Sequence, residues 1–403
     1  MADATGNDVP IGRQLRKLRV ERGLSQQALA ELVGWKSGSA VSMIESGERS
    51  VERRSTLEAL AFALRVAPTE LDGRPYPPSD AASRAAHASI EAIRRALTAT
   101  DVGDRPTGEP RPIVDLGDGV ARLNRSRQAC DFAAVGEALP ALITDLHAHL
   151  PGAGRHAAAA GLVACYEAAR AAAKHLGATD LGVVAARSVR DAANVLGGPE
   201  WEGLAAWSRA QAIGSSARGR ALDVVTAAVD DIEPHIDEPH VGEIYGMLHL
   251  IAAHSANTLG DTDTADAHLA EADAAAARYA GDFAELHFGP TNVAVWRVMI
   301  SVERRDEGRA VDLARSVDPE QLPPSGERQA AFWLDTGRGL AVRRKTQAQA
   351  VEALRQAEQM APQRIRVDPF AREVVRDLRR QWARRGTVGR ELAGMAHRMG
   401  IAA

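Results

Sequence analysis

Apolar positions recur with the period of an α-helix along almost the whole chain. Met1 to Pro10 form a polar lead-in rich in Gly, Pro and Asp, expected to be disordered. Ile11, Leu15 and Leu18 then fall on one helix face, and Gly23 ends that helix. Ser25 is placed to cap a second helix, with Ala28, Leu29 and Leu32 as its inner face and Gly34 as its stop. A third short helix begins near Ser37, turns Val41 and Ile44 inward and stops at Gly47. A fourth carries Leu57, Leu60, Ala61 and Leu64, and Leu71 closes the bundle after Pro68. The run Arg74-Pro-Tyr-Pro-Pro78 then breaks the pattern. Ile90, Ile93 and Leu97 mark one further helix within residues 80–98, and residues 101–118 read as a loop. The organisation predicted is a small helical domain over 11–73, a linker with one helix over 74–118, and a second domain over 119–399 that starts near Val120.

Within that second part, turn-then-helix signatures recur. Leu259-Gly-Asp-Thr-Asp-Thr-Ala265 leads into His268-Leu-Ala-Glu-Ala272, and Arg305-Asp-Glu-Gly-Arg-Ala310 into Val311 and Leu313. Lys345-Thr-Gln-Ala-Gln-Ala350 leads into Val351 and Leu354, and Leu176-Gly-Ala-Thr-Asp180 is a weaker copy. The aligned alanines Ala265, Ala310 and Ala350 are 45 and 40 residues apart. Small residues at such places let two helices approach closely, and units of this length stack into a solenoid. The predicted fold class is therefore all-α, with a small N-terminal bundle followed by an α-solenoid.

Composition agrees. Of 403 residues, 45% are hydrophobic and only 4% aromatic, and Ala, Leu, Arg and Glu, all good helix formers, dominate long stretches. The net charge of -4 excludes a chain that is basic throughout, but residues 11–72 hold ten Lys and Arg against eight Asp and Glu. Such a local excess is compatible with a nucleic-acid-reading domain on a more acidic carrier. Cys130 and Cys165 lack a partner motif and are expected to be reduced core residues. No long apolar run or secretory signal pattern appears, so a cytoplasmic location with no membrane contact is expected.

Two short helices joined by a tight glycine turn, the second apolar inside and small and polar outside, suit the DNA major groove. The stretches from Arg13 to Ala30, Val41-Ser-Met-Ile-Glu-Ser-Gly47 and Thr56-Leu-Glu-Ala-Leu-Ala-Phe-Ala-Leu64 resemble a Cro/repressor-type (XRE) helix-turn-helix domain. The resemblance implies that Gln26 touches the DNA backbone. It also implies a recognition helix from an N-cap at Ser37 to Ser46 that presents Gly38, Ser39, Ser42 and Met43 to the groove. This chain departs from the family in two ways. The turn from Gly34 to Ser37 and the segment after Gly47 are each one residue longer than usual, and the outer face has no Arg or Gln for bidentate base contacts. Phosphate anchoring is expected from Gln26, Lys36, Arg49, Arg53 and Arg54.

The repeats resemble degenerate tetratricopeptide units. Phe288-Gly-Pro-Thr-Asn-Val-Ala294, Leu322-Pro-Pro-Ser-Gly-Glu-Arg328 and Asp368-Pro-Phe-Ala-Arg-Glu-Val-Val-Arg-Asp-Leu378 are similar to stretches of actinomycete regulators built from a helix-turn-helix and a tetratricopeptide-like domain. More distantly, the build is similar to that of peptide-sensing quorum regulators. The resemblance implies double-stranded DNA as partner, a homodimer, and a peptide or small molecule on the concave face. Residues expected to hold such a ligand are Tyr245, His249, His254, Asn257, Phe288, Asn292, Trp296, Arg297 and Trp333. The alternative for each is a core or helix-capping role. The basic run Arg372, Arg376, Arg379, Arg380, Arg384 and Arg385 reads as the solvated face of a capping helix, with an extra phosphate contact or an acidic-ligand clamp as the alternative. His147 with His149, and His249 with His254, lack the spacing and partners of a metal site. No phosphate loop, dinucleotide fingerprint or nucleophile elbow appears, so neither a cofactor nor an enzyme activity is expected. The function expected is signal-responsive, sequence-specific DNA binding. The alternative is a protein-interaction scaffold with a vestigial head.

Overall fold

The computed structural model describes residues 10–51, 53–73, 81–99, 101, 109–213, 217–382 and 386–401. The expected disorder before Pro10, the breaker at 74–78, and Arg384 and Arg385 of the basic run lie outside the described residues or at their edge. The described residues form helices and connecting turns, with one isolated backbone bridge between Gly281 and Phe288.

The head contains α1 (Ile11–Glu21), α2 (Gln26–Leu32), α3 (Ser39–Ser46), α4 (Arg54–Leu64) and α5 (Pro68–Asp72). Ser25 caps α2 by accepting from the Ala28 N–H at 3.0 Å, as its position predicts. Ile11, Leu15, Leu29, Val41, Ile44, Leu60, Leu64 and Leu71 close the core. Gly12 lets α1 lie against α3, because a Cβ there would strike the carbonyl of Ile44. Leu32 was expected inside α2, but it is exposed and Ala30 is buried in its place. A seven-residue helix has too few turns for its period alone to choose between adjacent faces.

The chain continues with α6 (Ala81–Ala99), α7 (Ile113–Gln128), α8 (Phe132–His149), α9 (Arg155–Leu176), α10 (Thr179–Leu196) and α11 (Pro199–Ala212). Next come α12 (Arg218–Ile232), α13 (Val241–Leu259), α14 (Thr262–Ala276), α15 (Pro290–Glu303), α16 (Glu307–Ser316) and α17 (Gly326–Ala341). The series ends with α18 (Gln347–Met360), α19 (Pro362–Ile365), α20 (Pro369–Trp382) and α21 (Gly386–Arg398). Two expectations need correction. Helix α6 packs on α8 and puts Ala86, Ile93 and Leu97 into the large core, so it is built into the repeat array. Helix α7 begins at Ile113, inside the stretch expected to be a loop.

The array follows from one recurrent turn. Helices α7, α9, α13 and α15 each end on a residue with positive φ: Cys130, Gly177, Gly260 and Arg305 respectively. In each case the next residue's N–H reaches five residues back, from Asp131 to Ser126, Ala178 to Ala173, Asp261 to Ala256, and Asp306 to Ser301, at 2.8–3.0 Å. Asp131, Asp261 and Asp306 then cap the following helix with their carboxylates. Each turn folds one helix back on its predecessor. Helices α7, α9, α11, α13, α15, α17 and α20 touch in succession, forming one layer with their partners outside it. That two-layer stacking is an α-solenoid. The repeated alanines Ala265, Ala310 and Ala350 are all buried, as their spacing predicts.

Candidate functional site

In the head, three side chains lock the geometry of the motif. Arg19 of α1 donates through Nε and a terminal nitrogen to both oxygens of Glu45 on α3, at 2.5 and 2.9 Å. Gln26 of α2 donates to the same carboxylate at 2.8 Å. Burial acts to raise the Glu45 pKa, but the hydrogen bonds from Arg19 and Gln26 outweigh it, so the group sits below the usual carboxylate range. Gln27 of α2 accepts the Gly38 N–H at 2.8 Å and so serves the start of α3. The sequence places that N-cap at Ser37. The structure places it at Gly38, and the Ser37 hydroxyl instead meets the Ser39 hydroxyl at 2.6 Å.

With Val41 and Ile44 buried, α3 turns Ser39, Ser42, Met43 and Ser46 outward along one face. Ser37, Ser39, Met43 and Lys36 are exposed, and Ser42 and Gly38 are half-buried. Gln26 is half-buried in its bond to Glu45.

The arginines expected to anchor phosphates are placed differently. Arg53 and Arg54 face the repeat array. Arg54 donates its backbone N–H to Glu303 at 2.9 Å, and its guanidinium lies 5.4 Å from the ring centre of Phe370. The Arg53 guanidinium reaches the carbonyl of Glu303 at 3.4 Å, and burial beside Arg305 lowers its pKa. Ser50 bonds to Asp377, and Phe370 of α20 completes the head's own core. Arg49 is half-buried and lines the same crevice as Arg53, Arg338 and Asp377. Of the basic run on α20, Arg372 is not solvated: it is buried and donates to the carbonyls of Arg366 and Met399. Arg376 and Arg380 pair with Glu373 and Asp377.

The residues expected to hold a ligand are not gathered in one place. Asn292 donates to the carbonyls of Leu286 and His287 at 3.0 Å, securing a segment in which Ala284, Glu285 and His287 all have positive φ. Phe288 fills a notch over Gly246, where a Cβ would enter its ring. Asn257 accepts from Arg304 at 2.7 Å, and Arg297 pairs with Asp273. Tyr245 packs on His249, whose Nδ1 is 2.9 Å from Nδ1 of His268. Trp333 packs edge-on against Phe332. Among these residues, His254 and Trp296 share a cavity, their rings 6.3 Å apart.

That cavity measures about 370 Å³ and lies between the head and the array. Leu57, Val66 and Thr69 of the head form part of its wall, facing Lys174, Arg218, Trp296 and Arg364. Sequence reasoning missed Lys174, His175 and Arg218 as site residues. One signal was available: Arg170 and Lys174 interrupt an alanine-rich helix at i, i+4, Arg170 within the buried stretch of α9 and Lys174 exposed at its edge. Glu327 accepts from His175 at 3.2 Å and pairs with Arg328. Burial pushes His175 down to about 4. Among the described residues no cluster of His, Cys, Asp and Glu is arranged to hold a metal, and no helix is long and apolar enough to cross a membrane.

The fold and head define an all-helical protein with an N-terminal helix-turn-helix on a solenoid. A helix-turn-helix domain family matches residues 10–72, which are the head. No curated protein matches the chain. Among solved structures, PlcR of Bacillus thuringiensis, crystallised with the peptide PapR7 and DNA, is similar at 15% identity over 66% of this chain and 93% of that one. Its TM-score of 0.29 is too low to bear on fold or function.

Proposed function

We propose that this protein is a sequence-specific DNA-binding transcriptional regulator of the Cro/repressor type. Residues 11–73 are its reading head, and the array that follows is a tetratricopeptide-like sensor. The observation that carries this reading is the outward face of α3. Ser39, Ser42, Met43 and Ser46 project from a helix fixed to α1 and α2 through Glu45, within a segment that matches helix-turn-helix domains. Ser39 and Ser42 supply hydroxyls for base edges or phosphates, and Met43 supplies an apolar contact for thymine methyls. Lys36 and the Ser37 hydroxyl stand beside this face for phosphate contact, with Gly38 giving the backbone a close approach. Specificity rests more on DNA shape than on bidentate base contacts. Arg53 and Arg54 tie the head to the array, a connection through which a signal reaches α3. A homodimer reading two half-sites fits this motif, and the exposed Phe62 and Leu32 leave apolar head surface for such a contact.

Selecting bound fragments from the source genome, then titrating the best one against wild type and Ser39→Glu, tests the reading. Tight binding lost in Ser39→Glu supports it. No enrichment at low salt overturns it and leaves a protein-interaction scaffold with a vestigial head.

A further inference from the structure

The cavity between head and array has a wall chemistry that its packing role does not require. Six lysine and arginine side chains line it against four carboxylates. Most of this charge, of both signs, is already paired, Arg170 with Glu167 and Arg218 with Glu58 among them. Glu327 is held by His175 and Arg328, and Asp335 pairs with Arg338 at 2.6 Å. Lys174 donates to the neutral amide oxygen of Gln211 at 2.6 Å and, among the described residues, has no carboxylate in ion-pair range. Lys174 is exposed to solvent and lines the cavity.

The polar atoms around it point the same way. The indole N–H of Trp296, Nδ1 of His254 and Nε of Arg364 have no hydrogen-bond partner, and each of these residues is more than nine-tenths buried. Buried polar groups are ordinarily paired, so three unpaired atoms on residues that line one space are unusual. The remaining wall is apolar, including Leu57, Val66, Met299 and Phe370. The volume of about 370 Å³ falls in the range of small-molecule sites, roughly 300 to 1,000 Å³.

We infer that this cavity binds a small amphiphilic organic anion, its acidic group held by Lys174 and Arg364 and its apolar body lying against Trp296 and the head. The inference deepens the regulator reading by naming the class of signal and where it acts. Because Leu57, Val66 and Thr69 belong to the head, an occupant touches both parts at once. Any preference for one head position then changes DNA affinity, and DNA changes ligand affinity by the same factor.

The test uses the full chain and two fluorescent probes, anilinonaphthalene sulfonate and its uncharged parent phenylnaphthylamine. The sulfonate is expected to bind saturably, one per chain, and more tightly than the neutral probe. Lys174→Gln is expected to weaken the sulfonate roughly tenfold or more, the loss of one charge-assisted hydrogen bond, and to leave the neutral probe unchanged. Gly182 lines the cavity with no atom nearer than 4.0 Å to a Cβ added there, so Gly182→Met fills the space and is expected to abolish both signals with the helical spectrum intact. No saturable sulfonate site, or equal sulfonate affinity in wild type, Lys174→Gln and Gly182→Met, overturns the inference. Either result leaves DNA selection by the head untouched, while failed DNA selection leaves probe binding untouched, so the two failures are distinguishable.

Discussion

The backbone N–H of Arg54 donates to Oε2 of Glu303 across 2.9 Å, so a carboxylate of the repeat array caps the first turn of a helix in the head. The other oxygen of Glu303 accepts from Arg338, also at 2.9 Å, and both side chains are buried. Glu303 thus joins a head helix to the array's internal charge network. Removing it takes a buried carboxylate partner from Arg338 and takes away the cap. We predict that Glu303→Ala costs about 3–5 kcal/mol, the scale for breaking a buried ion pair from one side. Urea unfolding measures the loss. A cost below about 1 kcal/mol would show that Glu303 holds neither partner.

Gly246 and Phe288 make a second, more local prediction. A Cβ at residue 246 would enter the Phe288 ring, so Gly246→Ala is an overpacking change, expected to destabilise by about 1–3 kcal/mol despite alanine's better helix propensity. Phe288→Leu in the same chain removes the colliding atoms and is expected to recover part of that loss. A double-mutant cycle that shows simple additivity would contradict the contact.

The repeats were legible because their marker is a small residue at a helix crossing: Ala265, Ala310 and Ala350 stand out in sequence and are buried in the fold. Their turns were only half legible. Gly177 and Gly260 signal a left-handed residue, but Cys130 and Arg305 adopt the same conformation without that signal. The core phase of α1 and α4 was readable over eleven residues each, whereas that of α2 was not over seven. Helix α6 looked like a linker because its partner α8 lies beyond a proline-rich stretch. The exposed face of α3 could be read from its own pattern. The roles of Arg53 and Arg54 could not, since Glu303 and Phe370 are some 250 and 316 residues away in the chain. For the same reason the cavity was hidden: its walls come from both ends of the molecule.

The pair His249 and His268 predicts a pH dependence. Their Nδ1 atoms are 2.9 Å apart, so one ring must donate and the other accept, which requires a neutral imidazole. Burial pushes His249 down from 6.5 to about 4 and lowers His268 as well. Between those values the unfolded chain binds more protons than the folded one. The pair's contribution is therefore complete above about pH 6.5 and is lost progressively as pH falls toward about 4. Replacing both with asparagine is expected to shrink the drop in urea midpoint between neutral and mildly acidic buffer. An unchanged drop would mean that other groups carry it.

The most direct test of the central claim is the salt dependence of binding to the selected DNA fragment, in wild type and Lys36→Ala. Counterion release makes log affinity fall linearly with log salt, with a slope that tracks the number of phosphates neutralised. A steep negative slope, reduced by about 1 in Lys36→Ala with weaker binding to every sequence, is the predicted result. A slope near zero, or one that Lys36→Ala leaves unchanged, would contradict a head that grips DNA through the face of α3.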